Sequence, residues 1–345
     1  MDVDTLTDGS AFRGLWVEWL RLLTQLPFQS VFLTPQWQET WWRHFARERQ
    51  LHLLTVRSDD GVLRGLAPLM LSHGVDVPAR LEFIGDVELC DYFDVLIDPA
   101  YEQQVGEALA SALVSLTNDE VELCLTNLSS HSHTPALLRQ SLEDNGLSVV
   151  LAEIETCPTI VLPDTWDAYL EMLRGKDRHE MRRKIRRAET AAHLEYTIAS
   201  DTAMLDEALE TFFTLHRMSQ QPDKRHFMTA DKAAFLRDLT YQLWASGWVE
   251  LTTLQADGIT IAALCCFPYE RMYAAYNACY HPDYRHLSAG IVLFANRIQS
   301  AIAHGFTRFD FLRGNEPYKY RFGASDRPLL QLLARTACPV SGSCP

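Results

Sequence analysis

Apolar and polar positions along this chain follow the period of a strand in some segments and that of a helix in others. Two pairs of strand-like runs are each joined by a turn that contains Asp-Gly, as is typical of hairpins. They are residues 51–57 with 63–71, and residues 249–255 with 259–267. The two hairpins lie far apart in the sequence, so the chain uses the same device twice.

The segments after each hairpin follow the same order. A further strand, a Pro-x-Tyr turn, a helix and a final strand are predicted in turn. In the first copy the strands are 81–84 and 121–125, and in the second they are 272–280 and 307–312. We interpret this as an internal repeat of two α/β halves with mixed sheets.

Helical periodicity also precedes the first hairpin. Residues 11–26 predict a helix, and Thr34 followed by Pro35 predicts the start of another, with Thr34 as its N-cap. Helical spacing places Trp37, Trp41 and Phe45 on one face. We expect this aromatic face to be core rather than a ligand platform.

Composition bounds the class of protein. The 345 residues are 47% hydrophobic and 22% charged, and no apolar run of about 18 residues indicates a membrane span. The net charge of -14 disfavours broad contact with nucleic acid or anionic lipid. The acidic start does not resemble an export signal, and no Cys-x-x-Cys occurs among the eight cysteines. We expect a cytoplasmic protein with buried thiols, no disulfide framework and no metal.

The segment from His281 to Gly323 carries the most specific pattern. Small residues at Ser288–Gly290 lead into a helix with apolar positions at helical spacing. Free N–H groups and the helix dipole favour an anion at such a start. The strand 307–312 and the polar loop 313–319 follow. This order indicates a nucleotide or coenzyme site.

This segment resembles the second half of the CelD-type acyltransferases, which are related to the GNAT superfamily and distantly similar to the FemAB peptidyltransferases. The motif Arg285-x-x-Ser288-x-Gly290 fits the coenzyme A loop Gln/Arg-x-x-Gly-x-Gly/Ala, with Ser in place of the first Gly. The run Phe309–Lys319 resembles a signature of the subgroup, and the resemblance covers roughly residues 30 to 335.

The resemblance implies tandem GNAT-like domains with a cleft between them. Acyl-coenzyme A, as acetyl-CoA or another acyl-CoA, would be bound by Arg285, Ser288, Ala289 and Gly290 in a gap where strand 272–280 diverges from strand 307–312. A backbone N–H near Asn277 would stabilise an oxyanion.

Four ionisable residues are candidates for the chemistry. They are Asp310 or Glu316 as base or acceptor anchor, Tyr318 as acid toward sulfur, and Lys319 as electrostatic support. Because side chains alternate along a strand, Asp310 is expected to point away from the core if Phe309 and Phe311 point into it. The alternative is a structural network that holds the Gly314 loop.

The first half offers weaker candidates. Gln103-x-x-Gly106-x-Ala108 matches the coenzyme loop formally, but Gly106 lies in an apolar-periodic helix and is better explained by packing. Within Cys90–Asp94, the resemblance implies acceptor binding by Asp91 and Tyr92. The alternative is a solvated entry to a strand.

A basic helical segment precedes the second hairpin. Arg178, Arg182 and Arg186 form a stripe that could bind substrate phosphates or pair with acidic residues. Arg313 is assigned with them to substrate binding. The segment 220–226 is a candidate mobile lid.

We therefore expect an N-terminal helix in residues 1–30, GNAT-like domains in 31–155 and 156–336, and a tail in 337–345. The expected activity is acyl transfer, with N-acetyl transfer first, to an amine or hydroxyl of a sugar or small metabolite, in keeping with polysaccharide biosynthesis. An aminoacyltransferase that uses aminoacyl-tRNA and a non-catalytic binding module are the alternatives; the basic helix supports tRNA and the acidic charge disfavours it.

Overall fold

A computed structural model describes residues 1–74, 77–219 and 228–336. The fold is mixed α/β, as expected, and the chain divides into two compact units. The first unit comprises Met1–Glu155 and the described residues from Arg327 onward, and the second comprises Thr156–Asp326.

The elements follow one another in chain order. Up to the end of β7 they are β1 (Asp2–Leu6), α1 (Ala11–Leu23), α2 (Pro35–Phe45), β2 (Gln50–Arg57), β3 (Leu63–Ser72), β4 (Ala79–Phe83), β5 (Leu96–Ile97), α3 (Glu102–Leu116), β6 (Val121–Ser129), α4 (Thr134–Asp144) and β7 (Leu147–Thr156).

The second unit then contains β8 (Thr159–Val161), α5 (Trp166–Met172), α6 (Gly175–Ala191), β9 (Leu194–Ile198), α7 (Thr202–Arg217), α8 (Ala230–Trp244), β10 (Glu250–Ala256), β11 (Ile259–Tyr269), β12 (Met272–Tyr280), a 3-10 turn (Pro282–Leu287), α9 (Ala289–Ala303), β13 (Arg308–Asp310) and α10 (Pro317–Arg321). The last described strand is β14 (Pro328–Thr336).

Each unit is built around one sheet. In the first the strand order is β1-β2-β3-β4-β6-β14-β7, with β5 paired to β3, and in the second it is β8-β13-β12-β11-β10-β9. The predicted hairpins are β2–β3 and β10–β11, both antiparallel. In both units the third strand of the repeat then pairs in parallel with the strand after the helix, β4 with β6 and β12 with β13. The internal repeat predicted from the sequence is therefore confirmed.

The domain boundaries differ from the predicted ones at both ends. The predicted N-terminal helix, α1, belongs to the first unit, where Trp19 donates its indole N–H to the carbonyl of Leu33 at 2.9 Å. Strand β14, assigned in the sequence to the second domain, pairs with β6 of the first unit. The pairing joins residues some two hundred positions apart, and hydrophobic periodicity cannot reveal such a partner. The tail 337–345 and the candidate lid 220–226 lie outside the described residues.

The aromatic face of α2 is core, as predicted. Thr34 accepts the N–H of Trp37 at the start of this helix, and Trp37 and Trp41 are buried. Gly106 also has a packing role: a Cβ there would come within 2.8 Å of Leu137, a residue of α4. Because α3 needs a small residue for this contact with another helix, the formal coenzyme motif in the first half is explained by packing.

The two units differ in the strand that follows the hairpin of the repeat. In the second, β12 is continuous and carries a bulge at Tyr276, where Cys265 pairs with Asn277 and Cys266 with Ala275. In the first, the strands β4 and β5 pair with successive parts of β3 and are separated by residues 84–95. Phe93 in this segment donates its N–H to the carbonyl of Asn127 at 3.0 Å. Asn127 belongs to β6 and lies beyond the part of β6 that pairs with β4.

The composition also led to expectations about cysteines, metals and membrane spans. The six cysteines among them are all buried, as predicted for thiols in apolar strands. Within the same ranges no group of three or more His, Cys, Asp or Glu is arranged to hold a metal ion. No described helix is both long enough and apolar enough to cross a membrane.

Candidate functional site

A pocket of about 380 Å³ lies in the second unit at the start of α9. The end of β12, the 3-10 turn, the first turn of α9 and one residue of α10 line it: Ala278, Tyr280, Arg285, Ser288, Ala289, Gly290, Ile291, Phe294 and Tyr318. The structure therefore brings together all four residues predicted to form the coenzyme loop, and it adds Tyr318 from the predicted catalytic group.

Ser288 gives the start of α9 its geometry. It has left-handed backbone angles, φ 55° and ψ 40°, and separates the 3-10 turn from the helix. Glycine adopts this region at little cost, which explains why the coenzyme motif prefers glycine at this position. The carbonyl of Ser288 accepts the first helical hydrogen bond, from Val292 at 3.1 Å. The N–H groups of Ala289, Gly290 and Ile291 precede that bond and lie at the positive end of the helix dipole.

The hydroxyl of Ser288 does not cap this helix. It bonds instead to Arg187 of α6, whose Nη2 lies 2.8 Å from Ser288 Oγ. A guanidinium thus lies beside the N-terminal turn of α9, and Arg285 adds a second cationic side chain to the pocket wall. Free N–H groups, a helix dipole and two arginines together favour a phosphate.

The pocket is open beside the backbone of Gly290. A Cβ built on Gly290 would have the ring of Tyr280 as its nearest neighbour, at 4.0 Å. The side of the helix turn that carries Gly290 is therefore open. The residues present fit the pyrophosphate of a coenzyme, which needs close approach to the backbone.

Tyr318 forms part of the apolar wall. Its ring contacts Phe294 and Phe311, with centroids 5.7 Å and 6.1 Å away. Burial, and secondarily the charge of Glu316, raises the pKa of the Tyr318 phenol above its usual range. The hydroxyl therefore stays protonated at neutral pH and can donate a hydrogen bond inside the pocket.

Beside this pocket β12 extends past the end of its partner strand β13. Parallel pairing joins Met272–Ala274 of β12 to β13, which ends at Asp310, whereas β12 continues to Tyr280. The bulge at Tyr276 falls within this continuation. Ala278 lines the pocket, while Asn277 is the neighbouring half-buried residue.

Lys319 has a structural position instead of the predicted electrostatic one. Its side chain is only 3% exposed, and Nζ donates to the carbonyls of Leu312, Arg313 and Gly314 at 3.0, 2.8 and 2.9 Å. Glu316 Oε2 is 2.9 Å from the same nitrogen. An ammonium group has three hydrogens to donate, and these contacts use all three. Lys319 therefore holds the loop before α10, which is the alternative that the sequence left open.

Asp310 is buried and does not line the pocket. It is 1% exposed, and its carboxylate accepts the N–H of Leu312 at 2.7 Å. The strand ends at Asp310, and Leu312 has a positive φ of 56°, so the chain turns back over the carboxylate. Glu316 is exposed and forms an ion pair with Lys319. Arg313 is half-buried, and its carbonyl accepts a hydrogen bond from the same lysine. None of these three residues is in the lining of the pocket.

Within the described residues, only one of the three arginines of the basic stripe forms a hydrogen bond through its own side chain. Arg178 is half-buried, and its Nη1 lies 3.5 Å from the carbonyl of Leu170. Arg182 and Arg186 are exposed, and in the described part of the chain neither forms an ion pair. Met181 and Ala188 are buried, as predicted. Successive residues of an α-helix lie about 100° apart around its axis. Arg187 therefore lies on one side of this buried face, and the stripe lies on the other side. The sequence reasoning selected residues four apart and so missed the arginine that reaches Ser288.

The first-unit candidates lie in the segment 84–95. Tyr92 is 1% exposed and packs its ring on Phe28, with centroids 5.1 Å apart, so its predicted exposure to an acceptor is not observed. Asp91 beside it is half-buried. An added Cβ at Gly85 would lie 2.4 Å from Phe93, which shows how closely this segment packs.

Comparison with known proteins agrees with this geometry. Residues 175–320 match the family described as acetyltransferase (GNAT) domain. The matched range begins with α6 and ends in α10, and so contains every residue of the pocket. No curated protein sequence matches the chain.

Solved structures show that the GNAT-like fold is repeated in tandem. FemX superposes with a TM-score of 0.65 at 14% identity, over 98% of each chain. The C-terminal domain of a putative lysylphosphatidylglycerol synthetase from Agrobacterium fabrum gives 0.57 at 12% identity, over 93% of this chain and 92% of that one. A tandem GNAT protein from the clavulanic acid biosynthesis pathway gives 0.52 at 12% identity, over 96% and 98%. At these identities the likeness is one of fold.

Proposed function

We propose that this protein is an acyl-CoA-dependent acyltransferase that modifies an amine or hydroxyl of a sugar or small metabolite. The observation that carries the proposal is that the N-terminal turn of α9 and the hydroxyl-bearing Tyr318 line one pocket. The first feature suits a phosphate group, and the second suits the reacting end of a thioester. The match of this segment to the acetyltransferase (GNAT) domain supports acetyl-CoA as the first donor to test.

The coenzyme supplies an acyl group activated as a thioester. The N–H groups of Ala289 and Gly290 bind the pyrophosphate, with Arg187 and Arg285 adding charge. The hydroxyl of Tyr318 donates a hydrogen bond to sulfur as the carbon–sulfur bond breaks. The acceptor nitrogen or oxygen forms a bond to the acyl carbon and loses a proton. Tyr318 passes its own proton to the sulfur and regains the one that the acceptor loses. A backbone N–H of β12 beyond the bulge polarises the carbonyl.

This assignment narrows the catalytic candidates. Asp310 and Lys319 serve the loop before α10, so Tyr318 is the member of the predicted group that acts on the reacting atoms. Glu316 is exposed and is the remaining candidate for a base. The acceptor expected from the resemblance is a sugar of cell-envelope polysaccharide, modified in the cytoplasm.

The test is a turnover assay that follows the release of free thiol from acetyl-CoA. Amino sugars, small amines and sugar hydroxyls serve as acceptors, and Tyr318→Phe is the matched variant. Acceptor-dependent thiol release by the wild type, reduced about a hundredfold in Tyr318→Phe, supports the proposal. Binding of acetyl-CoA and longer acyl-CoAs without turnover on any acceptor argues for a binding module.

A second function, transfer from an aminoacyl-tRNA, is favoured by one observation. Arg182 and Arg186 are exposed and form no ion pair within the described ranges, and free arginines suit a phosphate backbone. A thermal-shift comparison separates the two donors, because a ligand at a hundred times its dissociation constant adds about 2.7 kcal/mol of stability. Stabilisation by tRNA that is lost in Arg182→Gln/Arg186→Gln, with none by acetyl-CoA, selects the aminoacyl donor.

A further inference from the structure

The first unit has a pocket of its own, of about 220 Å³. The loop after α1, the residues that lead into β5, and the starts of α3 and α4 form its walls. One side is apolar and consists of Leu26, Pro27, Phe28, Val95, Ile97 and Pro99. The other side carries Asp94 together with Ser132 and Thr134.

Asp94 is an unusual group in this wall because it is a carboxylic acid that is only 3% exposed. Its Oδ1 accepts the N–H of Val95 at 2.8 Å, and the hydroxyls of Ser132 and Thr134 also bond to it. Burial outweighs these bonds and raises its pKa to about 7. Within the described ranges no ion pair involves Asp94.

The other charges near this pocket do not neutralise Asp94. Glu102 and His133 line the pocket and lie 3.3 Å from each other, with His133 largely exposed. On the neighbouring strand β3, Arg64 forms an ion pair with Asp98 at 2.8 Å. No lysine or arginine is in the lining, so within the described residues the buried Asp94 has no fixed cation beside it.

We propose that this pocket binds a small organic ammonium ion, whose charge pairs with the Asp94 carboxylate and whose alkyl part packs on the apolar wall. A buried carboxylate is costly unless a cation pairs with it, and a ligand can provide that cation here. The volume is below the range of about 300–1,000 Å³ for drug-sized ligands, which limits the ligand to a few carbons.

This site is independent of the proposed acyl transfer because it uses residues of the first unit alone. The segment that supplies Asp94 is the same segment, 84–95, that interrupts the strand of the repeat in this unit. The second unit has a continuous strand at the equivalent position. This segment therefore supplies two of the residues that line the pocket, Asp94 and Val95.

Calorimetry with n-butylammonium chloride tests the proposal, and n-butanol is the neutral probe of similar shape. At pH 8 we expect binding of the ammonium at least tenfold tighter than of the alcohol. Asp94→Asn, which keeps the shape of the side chain, removes that preference. Asp59→Asn is the control, since Asp59 is an exposed acid of the same unit. Equal binding of both probes, binding unchanged in Asp94→Asn, or no binding of the ammonium overturns the proposal.

A second measurement needs no variant. At pH 6 the Asp94 carboxyl must lose its proton when an ammonium ion binds, so the heat of binding depends on the ionisation enthalpy of the buffer. We expect proton release at pH 6 that disappears by pH 8.5, where the Asp94 carboxyl is already ionised before the ligand binds. Absence of proton release at pH 6, in a protein that binds butylammonium, overturns the role of Asp94.

Discussion

The guanidinium of Arg187 lies 2.8 Å from the hydroxyl of Ser288. This hydrogen bond joins the basic helix α6 to the left-handed residue that begins α9. It removes the serine hydroxyl from the helix N-terminus, where it would otherwise compete with a ligand for the free N–H groups. The serine that departs from the glycine of the coenzyme motif is thus held by a residue of a different helix.

Arg187→Gln should weaken coenzyme A binding. A hydrogen bond to a charged group contributes about 1.5–3 kcal/mol, so we expect a dissociation constant raised about tenfold or more. The measurement is calorimetry with coenzyme A. Arg186→Gln is the matched control, because Arg186 is the exposed neighbour on the same helix and should leave the constant unchanged. If the two variants behave alike, Arg187 has no special part in the site.

Lys319→Met should lower the free energy of unfolding rather than the affinity for substrate. The substitution leaves the carbonyls of Leu312, Arg313 and Gly314 without their buried donor, and loss of one partner in a buried charged contact costs about 3–5 kcal/mol. Urea denaturation measures the change, with Lys176→Met, at an exposed position of α6, as control. A fully stable variant with reduced turnover would return Lys319 to the chemistry.

Tyr318→Phe should reduce turnover about a hundredfold, the usual size of general-acid catalysis, with the Michaelis constant and the melting temperature nearly unchanged. The ring contacts with Phe294 and Phe311 remain in the variant. Because burial raises the pKa of the phenol, the wild-type rate should show no loss from phenol ionisation up to its ordinary pKa near 10. Near-normal turnover in the variant would remove Tyr318 from the reaction and make Glu316 the next residue to test.

Asp94 should make the first unit less stable as the pH rises. Its pKa is raised from 3.8 to about 7 in the folded protein, so between these values the folded state binds more protons than the unfolded state. The free energy of unfolding then falls with rising pH over that window and levels off above it, by an amount of order 4 kcal/mol at most. Asp94→Asn should flatten this dependence in denaturation curves from pH 4 to 8. An unchanged slope would show that Asp94 titrates normally.

The sequence predicted those parts of the fold that depend on local pattern. Strand β12 has the predicted bounds, Met272–Tyr280, because its apolar run is long and a turn precedes it. Thr34 caps α2 as expected. Thr165 caps α5, although Asp164 beside it is also a good capping residue, and only geometry selects between the two.

Two of the misses depend on contacts between residues that are distant in the sequence. The pairing of β14 with β6 and the bond from Arg187 to Ser288 each join segments about a hundred or more positions apart. The burial of Asp310 has a local cause, because its carboxylate accepts the N–H of Leu312, where the chain turns. The four residues of the predicted coenzyme loop line one pocket because they belong to a single turn of the chain.

Calorimetric titration with coenzyme A of the wild type and three glycine variants tests the central claim, that the first turn of α9 is a phosphate site. Gly290→Ala should fold normally, since its Cβ would lie 4.0 Å from Tyr280, and bind more weakly. Gly290→Val should fill the approach to the N–H groups and abolish binding with little change in melting temperature. Gly175→Val, at the start of α6 where nothing lies within 4 Å, should bind as the wild type does. Unchanged affinity in folded Gly290→Val would contradict the assignment.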